Sequence, residues 1–295
     1  MTAASSSGLV PEDFDVQLPS GRIRARRFGP PEAPMVICIP GLSANLAGFD
    51  FLAERLAGEA MQVVALDLRG RGRSDVTSAG SYGWVNHAHD VLGVAEHLGA
   101  ATCSLVGQSS GAAIAMVCAQ LDPDRIEKLV LVDLAGAPDP SSVVPIMASI
   151  NRLGAVYPSA DAAIGLIKQL GMVPEWNEYW ERYFRYDLRE VEGGVTPSSD
   201  RAAVLEDTGY GNAMYWSDEQ PPVHSLWRHL TVPVLVLRAT QEIVPGFGHI
   251  LPKEESDLFL RRVPGSYVVE VDANHYTINM HATTAKAVED FLQRQ

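Results

Sequence analysis

The sequence predicts an α/β protein: a mostly parallel, eight-stranded sheet flanked by helices, with an inserted helical cap. Short apolar runs of strand length alternate with segments of helix length, which is typical of a parallel sheet covered on both faces. A "PSG" turn separates the first two strand-like runs and indicates an antiparallel hairpin. The alternation is interrupted once, by about a hundred residues between Asp133 and Pro233. These features predict a core domain that carries an insertion.

The strands and helices are assigned in chain order from apolar runs and helical periodicity. The strand segments are "FDVQLP", "RIRARRF", "MVICIPG", "QVVALDL", "CSLVGQ", "KLVLVDL", "VPVLVLRAT" and "SYVVEVD". Helices are predicted at about 46–58, 86–99, 110–121 and 253–262, with a last helix near 280–294. Because parallel strands need long crossover connections, we expect the strands after the opening hairpin to be parallel.

The interruption is predicted to form the cap, since a structureless loop of this length is uncommon in a compact domain. We expect residues 135–231 to be the cap and residues 1–134 with 232–295 to be the core. Within the cap, "EWNEYWERYFRY" carries aromatic side chains at helical spacing. This stripe is expected to pack the cap on the core and, in part, to line a substrate pocket. The candidate pocket residues are Trp176, Trp180, Tyr183 and Trp216.

Composition and charge exclude several classes of protein. A net charge of −13 argues against nucleic-acid binding, which relies on clustered Lys and Arg. No apolar run approaches the roughly 20 residues that cross a bilayer, so no membrane insertion is expected. The first residues lack a secretory signal, which predicts a cytoplasmic location. The three cysteines show no metal-ligand spacing, and neither a metal nor a cofactor is expected. Whether the protein is a monomer or a homodimer is left open.

The segment "LVGQSSG" at 105–111 is the strongest chemical signal in the sequence. It matches GxSxG, with an apolar strand before it and the small-residue helix "SGAAIAMVCAQL" after it. A serine on such a tight turn adopts a strained backbone, and side chains two residues before and after it would collide with neighbouring backbone. Only Ser109 has the register of a nucleophile.

A serine nucleophile needs a base to accept its proton. His275, in "VEVDANHYTIN", follows the last predicted strand on a short loop that could reach across the sheet edge. His249, in "PGFGHIL", is the rival, because it follows the preceding strand. We favour His275.

The imidazole in turn needs a carboxylate that fixes its tautomer. Glu242 is the first acid after "VPVLVLRAT", and the order Ser109, Glu242, His275 agrees with the order of this triad type. Asp133, at the end of "KLVLVDL", is the alternative acid.

The remaining requirement is an oxyanion hole, which binds the negative charge that develops on the carbonyl oxygen. Ser110 offers its backbone N–H at a helix N-terminus. The turn after "MVICIPG" offers a second donor, and since Pro40 has no N–H we assign it to the backbone of Leu42.

Five ordered segments resemble the α/β-hydrolase superfamily over nearly the whole chain. They are "ICIPGLSANLAGFDFLAERLA", "VVALDLRGRGRSD", "LVGQSSGA", "VPVLVLRATQE" and "DANHYTI". The resemblance implies the α/β-hydrolase fold and a serine esterase or lactonase-like member. Two departures are visible: the family usually has His-Gly where this chain has Pro40-Gly41, and usually has Asp where it has Glu242, as in some lactonases and esterases.

The sequence therefore predicts a cofactor-independent serine hydrolase that acts on a small-molecule ester with an apolar or aromatic portion. A lactonase, including one for acyl-homoserine lactones, a thioesterase and a carbon–carbon bond hydrolase use the same triad and are alternatives. Dehalogenase and epoxide hydrolase chemistry is disfavoured, since those relatives have Asp at the nucleophile position. A non-catalytic, ligand-binding member of the fold is a further alternative.

Overall fold

The computed structural model describes residues 10–58, 60–215 and 222–294, and its centre is a single eight-stranded sheet. The strands are β1 Glu12–Leu18, β2 Gly21–Phe28, β3 Met35–Ile39, β4 Gln62–Leu66, β5 Cys103–Gln108, β6 Ile126–Val132, β9 Val234–Ala239 and β10 Ser266–Val271. Their order across the sheet is β1-β2-β4-β3-β5-β6-β9-β10. The pairs β1/β2 and β2/β4 are antiparallel and the others are parallel. The predicted mostly parallel sheet and its opening hairpin are confirmed.

The central strands are apolar along their whole length because both faces of the sheet are covered. Every residue of β3, β4, β5 and β9 is buried, as expected for parallel strands between two helical layers. The helices of the core are α1 Asp50–Leu56, α2 Trp84–His97, α3 Ser110–Leu121, α8 Lys253–Arg262 and α9 Ala282–Gln293. Side chains of α2, α3 and α8 belong to one hydrophobic cluster, and those of α1 and α9 belong to another. The sheet lies between these two clusters.

The cap segment, residues 135–231, connects β6 to β9. Its described part contains α4 Val143–Ile150, α5 Ala160–Gln169, α6 Glu178–Tyr186 and α7 Arg201–Tyr215. It also contains a short antiparallel hairpin, β7 Leu188–Val191 and β8 Gly194–Pro197, which the sequence analysis did not predict. Strands of four residues are too short to produce a clear alternation of apolar and polar residues. The division into a core domain and a cap domain stays a prediction.

The parallel strands place the predicted site residues at one edge of the sheet. The strands β3, β5, β6, β9 and β10 run in the same direction, so the loops after their last residues lie side by side. Within the described residues, no helix is long and apolar enough to span a membrane.

Candidate active site

The turn between β5 and α3 holds Ser109 in a strained backbone conformation, with φ 55° and ψ −126°. A Cβ on Gly107 would lie 2.2 Å from the carbonyl oxygen of Gly111, and a Cβ on Gly111 would lie 2.1 Å from the carbonyl oxygen of Ile39. Either contact would force the backbone apart. The geometry therefore agrees with the expectation that a side chain at either glycine position would collide with neighbouring backbone.

The structure pairs His275 with Asp133 and not with Glu242. Oδ2 of Asp133 lies 2.8 Å from Nδ1 of His275, and both side chains are buried. Oδ1 of Asp133 accepts a hydrogen bond of 2.8 Å from the backbone N–H of Ala239 on β9. Since an ionised carboxylate only accepts, this contact assigns the proton of a neutral His275 to Nδ1 and leaves Nε2 as an acceptor. The expected pairing of Glu242 with His275 is wrong.

Glu242 lies in an exposed turn after β9. Its Oε2 accepts a 2.7 Å hydrogen bond from the backbone N–H of Gly246. Just before it, Thr240 and Gln241 donate their backbone N–H groups to the carbonyls of Val271 and Ala273. This pairing extends the sheet past the end of β9, and the chain then turns outward at Glu242.

His275 is held by its own loop. Oδ1 of Asn274 accepts hydrogen bonds of 3.0 Å from the backbone N–H groups of both Tyr276 and Thr277, which fixes the turn around His275. Nε2 of Gln108 lies at 3.5 Å from Nε2 of His275, at the outer limit of a hydrogen bond. The rival His249 has other partners: its Nε2 lies 3.2 Å from the carbonyl oxygen of Thr240, and its Nδ1 lies 3.9 Å from Oδ2 of Asp139.

Ser109 and His275 line the same cavity, of about 190 Å³. Among the described residues, no hydrogen bond joins Ser109 Oγ to His275. What places the two side chains together is the cavity that both of them line. Leu42 and Ser110, the predicted oxyanion donors, line it as well. Gly41 lets the turn of Leu42 approach the turn between β5 and α3 closely: a Cβ on Gly41 would lie 2.5 Å from Oε1 of Gln108.

The cap contributes aromatic side chains to the cavity. Trp180, Tyr183 and Phe184 of α6 line it, so two of the predicted pocket residues do so. Trp176 does not: its ring stacks on Phe184 with 5.4 Å between centroids, and its Nε1 donates to Glu181. Trp176 thus packs on Phe184, which itself lines the cavity. Trp216 lies outside the described residues.

A buried ion cluster links the turn of Leu42 to the cap. The guanidinium of Arg71 donates through Nε to the carbonyl of Leu42 at 3.0 Å and through Nη2 to Oδ2 of Asp207 on α7 at 2.5 Å. Nε2 of His87 contacts the same carboxylate oxygen at 2.8 Å. Burial acts to raise the pKa of Asp207, but the hydrogen bond from His87 and the charge of Arg71 outweigh it and lower that pKa to about 2. Burial lowers the pKa of His87, although the hydrogen bond and charge of Asp207 act in the opposite direction.

Three residues at the cavity carried no usable signal in the sequence. Arg152 and Asp207 are single charged residues in the cap, and only the fold brings them to the core. Tyr276 follows the predicted base directly, but adjacency in a loop does not say which way a side chain points. Among the described residues, no group of three or more His, Cys, Asp or Glu side chains has the arrangement of a metal site.

Fold and site together define a hydrolase of the α/β-hydrolase fold. Residues 34–278 match the sequence profile of the alpha/beta hydrolase fold family, so the chain belongs to that family. It is 24% identical over 312 residues to a serine hydrolase-like protein of Danio rerio, covering 96% of this chain and 89% of that protein. It is 36% identical over 204 residues to N-formylmaleamate deformylase of Pseudomonas putida, covering 69% of this chain and 60% of the relative.

Five further curated relatives are matched over only 33% to 50% of their length. Among solved structures, that of E-2-(acetamidomethylene)succinate hydrolase aligns with a TM-score of 0.84 at 23% identity, covering 97% of this chain and 100% of that one. This structural likeness shows a shared fold.

Proposed function

We propose that the protein is a serine hydrolase that cleaves a carboxylic ester with an apolar or aromatic portion. Ser109 is the nucleophile, His275 the base and Asp133 the acid that orients it. The observation that carries the proposal is the strained backbone of Ser109 at the N-terminus of α3, in a cavity that His275 also lines. Nδ1 of this histidine lies 2.8 Å from the buried carboxylate of Asp133. Strain of this kind persists at functional sites, where the surrounding structure holds it in place.

The proposed reaction has two steps. Ser109 Oγ attacks the substrate carbonyl while His275 Nε2 takes its proton, and the protonated imidazole then gives that proton to the leaving alcohol. Water attacks the acyl-enzyme by the same route and releases the acid. Asp133 stabilises the charged imidazole, and the backbone N–H groups of Leu42 and Ser110 bind the oxyanion.

The lining of the cavity supports the choice of an apolar or aromatic portion. Trp180, Tyr183 and Phe184 form one wall, and Ile146, Ile167 and Val173 add aliphatic surface. Burial of apolar substrate surface against such walls is favourable by roughly 25 cal/mol per Å².

Other acyl compounds remain alternatives. The names of two relatives, N-formylmaleamate deformylase and E-2-(acetamidomethylene)succinate hydrolase, extend the candidates beyond simple esters. Lactones, thioesters and carbon–carbon bonds next to a carbonyl can be cleaved by the same attack. A non-catalytic, ligand-binding protein would retain the fold and lack turnover.

A substrate panel tests the proposal. Aryl and alkyl esters of graded length, lactones and thioesters are assayed with the wild type and with Ser109→Ala. Removal of the nucleophile is expected to lower kcat by about 10⁴-fold or more. Ser110→Ala is the matched comparison and should lose far less, because only the backbone N–H of that residue has an assigned role. Near-full activity of Ser109→Ala, or no turnover of any acyl compound by the wild type, would contradict the mechanism.

A further inference from the structure

The cavity contains one strongly basic side chain, and the proposed ester chemistry does not use it. Arg152 follows α4 in the cap segment and lines the cavity together with Ser109 and His275. Among the described lining residues, the other charged side chain is Asp207, which is already paired with Arg71. Apart from His275, Arg152 is therefore the basic side chain among the described lining residues, beside apolar, aromatic and uncharged polar groups.

The hydrogen bonds of Arg152 leave most of its donors unused. Nη1 donates to Oδ2 of Asp187 at 2.8 Å, and among the described residues this is the one side-chain hydrogen bond of the guanidinium. A guanidinium has five N–H donors in a planar fork, which fits a carboxylate with two parallel hydrogen bonds. The side chain is 20% exposed, so part of it remains accessible.

Asp187 is the ion-pair partner of Arg152. Burial raises the pKa of Asp187, and the charge of Arg152 acts to lower it, with a smaller effect from Arg73. Nη2 of Arg73 itself donates to the carbonyl of Leu188 at 3.0 Å. The pair with Asp187 therefore leaves other donors of the Arg152 guanidinium for a further acceptor.

Two further polar groups that line the cavity have no geometric hydrogen-bond partner among the described residues. Tyr276 Oη is buried and has no hydrogen-bond partner in the described structure, and the same holds for Oδ1 of Asn279. Both residues line the cavity. Burial raises the pKa of Tyr276, and the charge of Arg152 and the hydroxyl of the neighbouring Ser149 act to lower it, whereas Ser149 donates its own hydroxyl hydrogen to the carbonyl of Ile146 at 2.7 Å. Buried polar atoms are almost always hydrogen-bonded, so unpartnered ones that line a pocket point to a polar ligand.

We propose that Arg152 and Tyr276 form a carboxylate subsite, and that the substrate is a half-ester: an ester whose acyl portion ends in a free carboxylate. The apolar walls would hold the carbon chain between the two groups, and the guanidinium would bind the carboxylate in a fork. This inference rests on the proposed ester hydrolysis, because it assigns a substrate class to the same site.

Matched substrates test the subsite. Mono-4-nitrophenyl esters of succinic, glutaric and adipic acid are compared with 4-nitrophenyl butanoate, pentanoate and hexanoate, in which a methyl group replaces the distal carboxylate. The wild type is expected to prefer the half-ester at one chain length by about 10-fold or more in kcat/KM, as for a charge-assisted hydrogen-bonded pair. A preference for the neutral ester at all three lengths would overturn the proposal. Because the protein has a net charge of −13, an anionic half-ester is expected to be the poorer substrate unless a specific group binds its carboxylate.

Variants of the subsite separate recognition from structure. Arg152→Met should lower the ratio of kcat/KM for half-ester over neutral ester by about 10- to 100-fold, and Arg152→Lys should restore part of it. Because Arg152→Met leaves Asp187 buried without its partner, the double variant with Asp187→Asn is measured alongside. Tyr276→Phe should lower the same ratio by a smaller factor. Arg185→Met, on the outer face of the cap and paired with Asp161 and Glu181, is the control and should leave the ratio within about twofold.

A ratio that is independent of Arg152 would assign this residue a structural role only and overturn the subsite. Binding distinguishes that failure from a failure of the proposed function. Calorimetry with Ser109→Ala compares the glutarate half-ester with its methyl diester, and this measurement needs no turnover. If no ester is hydrolysed but the half-ester binds at least about 10-fold more tightly than the diester, the carboxylate subsite stands and ester hydrolysis does not.

Discussion

At the residue scale, the ends of three neighbouring strands fix one another. Ser109 and Asp133 are the two non-glycine residues with positive φ among the described residues, at 55° and 53°. The backbone N–H of Ser109 donates to Val132 at 2.9 Å, and that of Asp133 donates to Leu237 at 2.7 Å. A positive φ costs about 1–3 kcal/mol for such residues. Each strained residue is thus held by a hydrogen bond to the neighbouring strand, which positions the proposed nucleophile and the proposed acid without substrate.

The acid assignment is tested by paired neutral substitutions. Asp133→Asn should lower kcat by about 10³- to 10⁴-fold, because an amide at this position no longer stabilises the charged imidazole and can favour the wrong tautomer. Glu242→Gln should change kcat less than about threefold, since the carboxylate of Glu242 lies in an exposed turn and, among the described residues, accepts its hydrogen bond from Gly246. Steady-state kinetics on one activated ester measure both, and a larger loss in Glu242→Gln would reverse the assignment.

The glycines of the turn between β5 and α3 give a stability prediction. Gly111→Ala should lower the free energy of unfolding by about 2 kcal/mol or more, because its Cβ would meet the carbonyl oxygen of Ile39 at 2.1 Å. Gly165→Ala, in α5 with no atom within 4 Å of the added Cβ, is the matched control. It should raise the free energy of unfolding by about 0.5–1 kcal/mol through helix propensity. Urea denaturation of both variants measures the difference, and equal values would contradict the steric reading.

The same residues show how far the sequence can predict the site. GxSxG with its flanking strand and helix defines Ser109 locally, and His275 follows from its place after the last strand. The acid could not be chosen in this way, because Asp133 and Glu242 both follow a strand and both agree with a plausible triad. The choice depends on the pairing of β6 with β9, which brings Ala239 N–H to Asp133 Oδ1. That contact joins residues 106 positions apart in the chain.

At the scale of elements, the cap helix α7 reaches the turn of Leu42 through Arg71. Asp207 on α7 anchors the guanidinium, and the guanidinium holds the carbonyl of Leu42. The carbonyl of Leu42 belongs to the peptide unit between Leu42 and Ser43, so Arg71 holds Leu42 on the side that follows its proposed donor N–H. Through this contact α7 supports the residue that carries the proposed oxyanion donor.

We predict that Asp207→Asn lowers kcat/KM by about 10- to 100-fold, since a small displacement of a catalytic donor is costly. It should also reduce the free energy of unfolding at pH 7 by about 2 kcal/mol, because a carboxylate whose pKa is lowered to about 2 favours the folded state. The sign follows from the direction of the shift: this stabilisation is present above about pH 4 and is lost as the pH falls toward 2. Kinetics and urea denaturation at pH 3–7 measure both effects.

The control for this prediction lies on the same helix. Glu206 accepts hydrogen bonds from the backbone N–H groups of Gly80 and Tyr82 and does not contact Arg71. Glu206→Gln should reduce kcat/KM far less than Asp207→Asn. Equal losses in the two variants would mean that α7 acts through general stability and not through Leu42.

Two helices of the core were predicted closely. The helix predicted at 110–121 is observed as Ser110–Leu121, and the one predicted at 253–262 as Lys253–Arg262. The first begins directly at the GxSxG turn and is buried all round, and the second has one buried face. The hairpin β7/β8 of the cap segment, in contrast, has strands of four residues and an additional bridge between Tyr157 and Val195. Contacts of this kind decide the structure of short segments and leave no periodic pattern.

At the scale of the whole molecule, Asp67 joins core and cap. It follows β4 and is fully buried. Its carboxylate accepts hydrogen bonds from the backbone N–H groups of Leu46 and Arg73, both at 2.8 Å, and from the hydroxyl of Tyr186 on α6 at 2.7 Å. One side chain thereby connects the segment after β3, the turn after β4 and the aromatic helix of the cap.

Burial raises the pKa of Asp67 to about 6, and the hydrogen bonds from Tyr186, Arg73 and Leu46 reduce that rise without abolishing it. The folded protein therefore binds this proton more tightly than the unfolded chain, in which the pKa is near 3.8. The linkage has a definite sign: the contribution of Asp67 to folding is greatest below about pH 4 and declines by about 3 kcal/mol as the pH rises through 6.

We therefore predict that the stability difference between the wild type and Asp67→Asn changes with pH in one direction. Asparagine has the same size and does not ionise, so the wild type should gain stability relative to the variant as the pH falls from 7 to 4. Asp75→Asn, in the same loop but paired with Arg22 at the surface, is the control and should show no comparable change. Urea denaturation at half-unit pH intervals measures the difference. A difference that is constant, or that grows with increasing pH, would mean that Asp67 is ionised in the folded protein at little cost. In that case the hydrogen bonds from Leu46, Arg73 and Tyr186 would outweigh its burial.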